Sequence, residues 1–214
     1  MKLLLSLITA AVVLANVGHV RAASSVDVSV KGSITPAACT PTLTNGGVVD
    51  HGKRSIKDLK PNSSTALPVA TLQVNVNCSA STLFALKATD NREGTAANPG
   101  FVTSSYFGLG LFNDVKVGWY TLKMNSSLAD GLPKAVIESN DGRTWMNAPD
   151  GSQVWQPNWL RAFEGGSVGA STPLPVTNLD ADIMVEAHII SGNLLPANQE
   201  IPIDGSATLD VVYL

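Results

Sequence analysis

Residues 72–78 read LQVNVNC, and this stretch decides the class of fold. Its apolar side chains recur at every second position, which is the period of an extended strand with one buried face. The same alternation recurs along the chain between clusters of Gly, Pro, Asn and Asp, without a convincing helical stripe after the N-terminal segment. The pattern predicts an all-β protein of roughly eight or nine strands arranged as a sandwich.

Other segments of the chain show the alternating pattern more or less clearly. The strongest lies at 182–190, where one face is wholly apolar and is expected to face the core, through Ile183, Val185, Ala187 and Ile189. Shorter strands are predicted at 83–88, 115–124 and 134–138, and the Gly-rich stretch 101–112 favours a bulged or edge segment. Asn140-Asp141-Gly142-Arg143 predicts a tight hairpin turn. Residues 146–175 are broken by Pro and Gly and are expected to form long loops.

The N-terminus is organised as an export signal. Lys2 precedes an apolar run over 3–15, and the small-residue site at Val20-Arg21-Ala22 predicts cleavage after Ala22. Removal of residues 1–22 lowers the basic residues from 14 to 12 and keeps all 17 acidic ones, so the mature formal charge is −5. This charge disfavours a nucleic-acid partner. A charged fraction of only 14% suits an extracellular β protein.

Cys39 and Cys78 are the only cysteines in the chain. A cysteine pair behind an export signal is most simply a disulfide, and it would tie the first strand to residues 72–78. Closing a loop of this length stabilises a fold by roughly 3 to 4 kcal/mol in the chain-entropy account. A zinc site is disfavoured, because two thiolates need two more ligands and the mature chain has only His51 and His188 as imidazoles.

The last predicted strand reaches the C-terminus. Residues 207–214 read ATLDVVYL, and one face of this strand presents Ala207, Leu209, Val211 and Tyr213. The opposite face is partly apolar as well. Because an apolar strand at an open sheet edge pairs readily with other chains, we expect a partner to cover it.

Three features together resemble the chaperone-usher pilus subunits, the fimbrial pilin family of Gram-negative bacteria. The run VSVKGSI at 28–34, followed by Ala37-Ala38-Cys39, resembles the segment that leads to the first cysteine of that family. Cys78 ends an alternating strand at close to the family's spacing, and Tyr213 resembles the family's penultimate aromatic residue. The ending IDGSAT at 203–208 and the Asp141-Gly142-x-x-Trp145 turn further resemble an uncharacterised branch of fimbrial-like secreted proteins.

The resemblance implies an immunoglobulin-like sandwich that lacks its last strand and therefore leaves an open hydrophobic groove. In this family a periplasmic chaperone fills the groove with a strand, and at the outer-membrane usher the N-terminal extension of a neighbouring pilus subunit replaces it. Carried over, the chaperone-facing edge of the groove is formed by Ala207, Leu209, Val211 and Tyr213. The donor-strand candidates are Val26, Val28 and Val30. The expected location is a cell-surface fimbrium reached through the periplasm.

The resemblance also implies the domain boundaries: a signal peptide at 1–22, an N-terminal extension at 23–30 and a sandwich domain at 31–214. The extension is short for a segment that fills a whole groove, and the stretch 146–175 exceeds what a compact major pilin needs. Both departures favour a minor or specialised subunit.

No catalytic constellation emerges, and we expect no enzyme, no cofactor and no metal site. His188 beside Glu186 fits an ordinary strand histidine better than a catalytic base, and His51 fits a loop residue. Asp180 and Asp182 lack the spaced loop that would supply the roughly six to eight oxygen ligands of calcium.

A carbohydrate-binding or adhesin module is the alternative function. Aromatic rings stack on sugars, and the candidate glycan residues are Trp145, Trp155 and Trp159, with Asn147, Asp150 and Gln153 nearby. The competing structural interpretation is that these tryptophans pack long loops onto the sandwich. A host or surface glycan would be the partner in the first case.

Overall fold

The structure is a computed structural model that describes residues 28–32, 38–97, 105–148, 154–165, 171–196 and 198–214. The chain divides into two units, Met1–Thr35 and Pro36–Leu214. In the first unit, residues 28–32 are exposed and lie outside any strand. Every strand named below belongs to the second unit. None of the helices in the described ranges is long and apolar enough to cross a membrane.

Fourteen strands are described, and eight of them have four or more residues. These eight are β1 (Cys39–Leu43), β3 (Ala70–Thr82), β4 (Phe84–Asp90), β8 (Gly118–Ala129), β10 (Val136–Ser139), β12 (Leu160–Phe163), β13 (Val176–Ile189) and β14 (Ala207–Tyr213). The two-residue strands are β2 (Thr65–Ala66), β5 (Phe107–Gly108), β6 (Leu111–Phe112), β7 (Val115–Lys116), β9 (Leu132–Pro133) and β11 (Met146–Asn147). Short 3₁₀ turns lie at Thr44–Gly47, Ile56–Asp58 and Gly192–Leu194.

The strands form two main antiparallel sheets. The first sheet has the order β1-β3-β13-β8-β5, with β2 beside β13 and β9 beside β8. The second sheet has the order β11-β10-β12-β4-β14, and β6 pairs with β7 separately. Buried side chains from both sheets form one apolar core, with Val74, Val76 and Ile183 from the first sheet and Leu86 and Phe163 from the second. The predicted all-β sandwich is confirmed.

The two segments with the clearest alternation of apolar residues form strands, and their apolar side chains are buried. In β3 the four apolar residues of 72–78 are all buried, and in β13 the predicted apolar face is buried throughout. β13 pairs with β3 on one side and with β8 on the other, so it is an interior strand whose two edges are both hydrogen-bonded. β3 extends beyond the predicted segment at both ends, whereas β13 begins at Val176 and ends at Ile189, one residue before the predicted end.

The disulfide between Cys39 and Cys78 is confirmed. The two cysteines are directly opposite each other in the β1–β3 pair. Cys78 is buried, so the bridge fixes the short edge strand β1 against the core. This bond positions one wall of the site described below.

The prediction of long loops over 146–175 is wrong at 160–163. These residues form β12, an interior strand of the second sheet between β10 and β4. All four of its residues are buried, so the strand has no polar face and no alternation to reveal it. Its interior position also places Arg161 in the core, which a sequence pattern does not suggest.

Candidate functional site

The terminal strand β14 is an edge strand of the second sheet. It pairs antiparallel with β4 over its full length, from Ala207 opposite Asp90 to Tyr213 opposite Phe84. On its other side no described strand is its neighbour. Within the described part of the chain, the outer edge of β14 therefore has no strand partner.

The hydrogen-bond pattern shows which residues present that edge. Asn91 N–H donates to Ser206 O, and Leu214 N–H donates to Leu83 O, so even-numbered residues of the strand bond to β4. In an antiparallel pair the alternate residues then point their N–H and C=O groups outward. The residues of β14 whose main-chain groups point away from β4 are Ala207, Leu209, Val211 and Tyr213. These are the same residues that form the apolar side-chain face predicted from the sequence.

An apolar groove, called the strand groove below, runs beside this edge. One wall is the start of β14 and the residues before it, including Ile203, Ala207 and Leu209. The opposite wall is the end of β1 and the segment after it, including Leu43, Val49 and His51. The floor is made of core side chains, among them Leu72, Leu122, Ile183 and Val185. The groove holds about 240 Å³ and continues into a wider section of about 490 Å³.

The β1 wall offers less hydrogen bonding than the β14 wall. Ser79 N–H donates to Ala38 O, so the residues of β1 that point away from β3 are Cys39, Pro41 and Leu43. Pro41 has no N–H. The N–H of Cys39 already donates to the hydroxyl of Tyr213 at 3.0 Å. A strand lying in the groove therefore finds its main hydrogen-bonding partner in β14.

A polar clamp fixes the residues that lead into β14. Arg92 donates from Nε and Nη2 to the carboxylate of Asp204 at 3.0 and 2.9 Å, and this hydrogen bond raises the pKa of Arg92. Gly205 follows, and a Cβ there would lie 2.8 Å from Leu109 Cδ2, so a larger residue would require the Leu109 side chain to shift. Tyr120 packs against Gly205, and burial raises the pKa of its hydroxyl. This wall is thus held in place before any partner binds.

The wide section of the groove has a polar mouth. Lys53 and Glu200 form an exposed ion pair at 3.3 Å across the mouth, and Arg54 Nε donates to the carbonyl of His51. Partial burial and then the nearby Arg54 charge lower the pKa of His51. His51 is therefore mostly neutral at pH 7.

The tryptophans do not form one exposed aromatic surface. Trp155 is fully buried, its Nε1 donates to Trp159 O at 2.9 Å, and its ring lies 5.2 Å from the guanidinium carbon of Arg161. Trp159 is half-buried against the main core. Trp145 packs on a second small cluster with Ile137 and Leu160, on the opposite face of the second sheet. Trp155 therefore presents no ring face to a sugar.

Arg161 is a buried residue that sequence reasoning missed. Its guanidinium pairs with the buried carboxylate of Glu138 at 3.3 Å, and its Nε has no hydrogen-bond partner among the residues that the structure describes. Burial lowers the pKa of Arg161, and the Glu138 charge opposes that shift. The signal available in the sequence was the Trp155 and Trp159 cluster nearby, which does not by itself specify a cation partner.

The other candidate residues make contacts with neighbouring side chains of the fold. His188 stacks face to face on Trp119 with centroids 5.0 Å apart, and burial lowers its pKa. Its neighbour on the strand, Glu186, pairs with Lys123 at 2.7 Å. Asp180 accepts a hydrogen bond from Asn75. Within the described ranges, no group of three acidic, histidine or cysteine side chains could hold a metal ion.

The donor-strand candidates lie in the first unit. Val28 and Val30 are 88% and 93% exposed, and neither belongs to a strand. Val26 lies outside the described residues, as do Asp150 and Gln153 of the candidate glycan site.

The fold and the site together define a disulfide-linked β-sandwich with an apolar groove beside an unpaired terminal strand. A family model described as "Protein of unknown function (DUF1120)" matches residues 28–108. The chain is similar to Uncharacterized protein YhcF of Escherichia coli strain K12, with 28% identity over 224 residues, 91% of this chain and 92% of that protein. It is also similar to Protein GltF of the same strain, with 27% identity over 223 residues and 88% of each chain.

Proposed function

We propose that this chain is a non-enzymatic structural subunit of a surface fibre assembled by strand addition. One observation carries the proposal: the apolar strand groove lies beside a terminal strand whose outward N–H and C=O groups have no strand partner among the described residues. A strand inserted there would gain main-chain hydrogen bonds from β14 and would bury alternate side chains on the floor.

Two different strands would occupy the groove, one after the other. An empty apolar groove beside an open strand edge is an aggregation hazard, so a periplasmic chaperone would cover it first with a strand of its own. At an outer-membrane usher, the N-terminal segment of a neighbouring pilus subunit would then replace the chaperone strand. The chain would travel through the periplasm and end in a fimbrium at the cell surface, as a minor or specialised subunit.

The carbohydrate-binding alternative lacks a specific supporting observation. It needs exposed aromatic faces, whereas Trp155 is 0% exposed and Trp145 and Trp159 pack against different apolar clusters. Strand addition is the proposal that the groove supports.

The Leu209→Asp variant tests the proposed function. Leu209 lies on the groove wall, so a carboxylate there would be buried by any inserted strand and would weaken chaperone binding by at least about tenfold. Tagged mature protein would be isolated from periplasm in which a pilus chaperone is co-expressed, and the bound chaperone would be quantified.

The matched control is Thr208→Asp, which places the same charge on the exposed outer face of the same strand. It should retain the chaperone. A thermal unfolding scan of each isolated variant separates loss of binding from loss of fold. Equal chaperone recovery with Leu209→Asp and with wild type would contradict strand addition at this groove.

A further inference from the structure

The wide section of the groove is built by connecting segments rather than by strand edges. Its lining comes from residues 49–59, from Leu195 and 199–203, and from Val117 and Ile189. Among the described residues, none from β1 or β14 contributes to it. An added strand would therefore find no main-chain edge to pair with here. This section suits a ligand of another kind.

The interior of the wide section is apolar. Val117 and Ile189 are only 2% and 4% exposed, and Leu195 is buried as well. Leu59 and Ile201 are half-buried and pack on the same core. The section holds about 490 Å³, which lies within the range of about 300–1,000 Å³ that is typical of small-molecule pockets. An aliphatic chain would lose its contact with water in this interior, which favours its binding.

The mouth of the wide section contains a cation that no described carboxylate neutralises. The acidic and basic residues of the described lining are Asp50, Lys53, Arg54 and Glu200. Lys53 pairs with Glu200, and Asp50 accepts a hydrogen bond from a main-chain N–H at 2.7 Å. Arg54 donates from Nε to a main-chain carbonyl, and in the described part of the chain its two Nη groups form no further bond. The end of its guanidinium is therefore free to bind a ligand.

The segment around Arg54 is positively charged in an acidic protein. Residues 50–60 read DHGKRSIKDLK, with four basic residues against two acidic ones and a formal charge of +2. Lys57 and Lys60 follow Arg54 on this segment and are exposed. A guanidinium offers paired N–H groups that match the oxygens of a carboxylate or a phosphate. The mouth is therefore complementary to an anionic head group.

We propose that the wide section binds a single-chain amphipathic anion, with its aliphatic chain in the apolar interior and its carboxylate or phosphate head group on Arg54. This chemistry is shared by free fatty acids and by anionic phospholipids that carry one chain. The inference goes beyond strand addition and does not depend on it. The described lining of the wide section does not include Leu209, the residue that tests chaperone binding.

Isothermal titration calorimetry of the mature chain tests the class of ligand. The probes are decanoate, decyl phosphate, uncharged decanol, and acetate as a head group alone. We expect both decyl anions to bind and decanol to bind at least about tenfold more weakly, because it makes no charge-assisted hydrogen bond. Acetate should give no measurable binding. Tighter binding of decanoate would support a free fatty acid as the source, and tighter binding of decyl phosphate would support a phospholipid.

The Arg54→Gln variant tests the anchor for the head group. It should weaken decanoate binding by about tenfold and leave decanol binding unchanged, a difference that a merely structural role would not produce. The matched control is Arg143→Gln, at an exposed turn position outside the described lining. This control should bind both probes as wild type does.

The Ile201→Trp variant tests the position of the chain. Ile201 lines the wide section and is absent from the described lining of the narrower one, so the larger ring should fill the wide section alone. Decanoate and decanol should both bind at least about tenfold more weakly. Val69→Trp adds the same ring at a site that is 53% exposed and should change neither affinity. Thermal unfolding scans show whether each variant is folded.

Three results would overturn the inference. The first is a folded Ile201→Trp protein that binds decanoate as tightly as wild type. The second is equal affinity of wild type for decanoate and decanol, or an Arg54→Gln protein with unchanged affinity for decanoate. The third is the absence of binding for every probe, which would leave strand addition to be decided by Leu209→Asp.

Discussion

At the scale of single residues, Arg161 and Glu138 form an ion pair that is buried in the core. Both side chains lie inside the sandwich, on neighbouring strands β12 and β10, and the Trp155 ring covers the guanidinium. Two buried charges compensate each other only while both are present. The pair therefore makes this part of the core sensitive to the loss of either partner.

The Glu138→Leu variant should lower the free energy of unfolding by about 3 to 5 kcal/mol, because it leaves the Arg161 charge buried without a counter-ion. Urea unfolding followed by tryptophan fluorescence measures this change. The double variant Glu138→Leu with Arg161→Met removes both charges and should recover most of the loss. A single variant with a wild-type unfolding midpoint would show that Arg161 reaches solvent.

The hairpin turn between β10 and β11 contains a carboxylate whose pKa is strongly perturbed. Asp141 accepts hydrogen bonds from the N–H groups of Thr144 and Arg143 and from the Ser139 hydroxyl, and these bonds lower its pKa from 3.8 to about 2. A carboxyl with a lowered folded-state pKa stabilises the fold above its unfolded pKa and loses that effect as pH falls towards the folded value.

The Asp141→Asn variant should therefore be less stable than wild type at pH 6, and the difference should shrink as pH falls from about 4 to about 2. Urea midpoints of both proteins at pH 6 and pH 2.5 measure this. Asp210→Asn, at an exposed strand position, controls for the general loss of charge. A difference between Asp141→Asn and wild type that is the same at both pH values would contradict the assigned role of the turn hydrogen bonds.

At the scale of secondary-structure elements, the sequence predicts the strands with a polar face and misses the strand without one. β3, β13 and β14 each alternate, and each lies where the alternation places it. β12 reads LRAF, is buried on both faces and follows a Pro-containing segment, so neither period nor composition distinguishes it from a loop. Burial on both faces removes the contrast on which sequence reasoning depends.

The site follows the same rule. The alternation of apolar residues in the sequence is enough to identify one set of residues in β14. Side-chain direction and the direction of the main-chain hydrogen bonds both alternate along a strand, so this set shares both. The opposite wall could not be predicted, since the contact between Cys39 and Tyr213 joins residues 174 positions apart. The Arg92 to Asp204 clamp is equally remote in sequence. Such pairings arise from the packing of two sheets, which a single strand pattern does not encode.

At the scale of the whole molecule, one covalent bond connects the short edge strand β1 to the core. β1 has only five residues and a single strand neighbour, so few hydrogen bonds hold it. Removal of the bridge should increase both the entropy of the unfolded chain and the local opening of this edge.

The double variant Cys39→Ser with Cys78→Ser should lose roughly 3 to 4 kcal/mol of unfolding free energy. Denaturant unfolding of the variant and of the oxidised wild type measures the loss. Hydrogen exchange should speed up in β1 before it does in β13, which is paired on both sides. Equal protection of the two strands in the variant would show that packing alone holds β1.

Pro41 in β1 limits how the edges of the two sheets can pair with each other. Two facing edge strands of a sandwich can join their hydrogen bonds and turn two open sheets into a closed barrel. Here Pro41 supplies no donor at the middle of one edge, and the Cys39 donor is engaged by a side chain rather than by the main chain of β14. A continuous ladder of main-chain hydrogen bonds between these two edges is therefore interrupted at Cys39 and Pro41, so the chain's own strands do not close the sandwich into a barrel on this side.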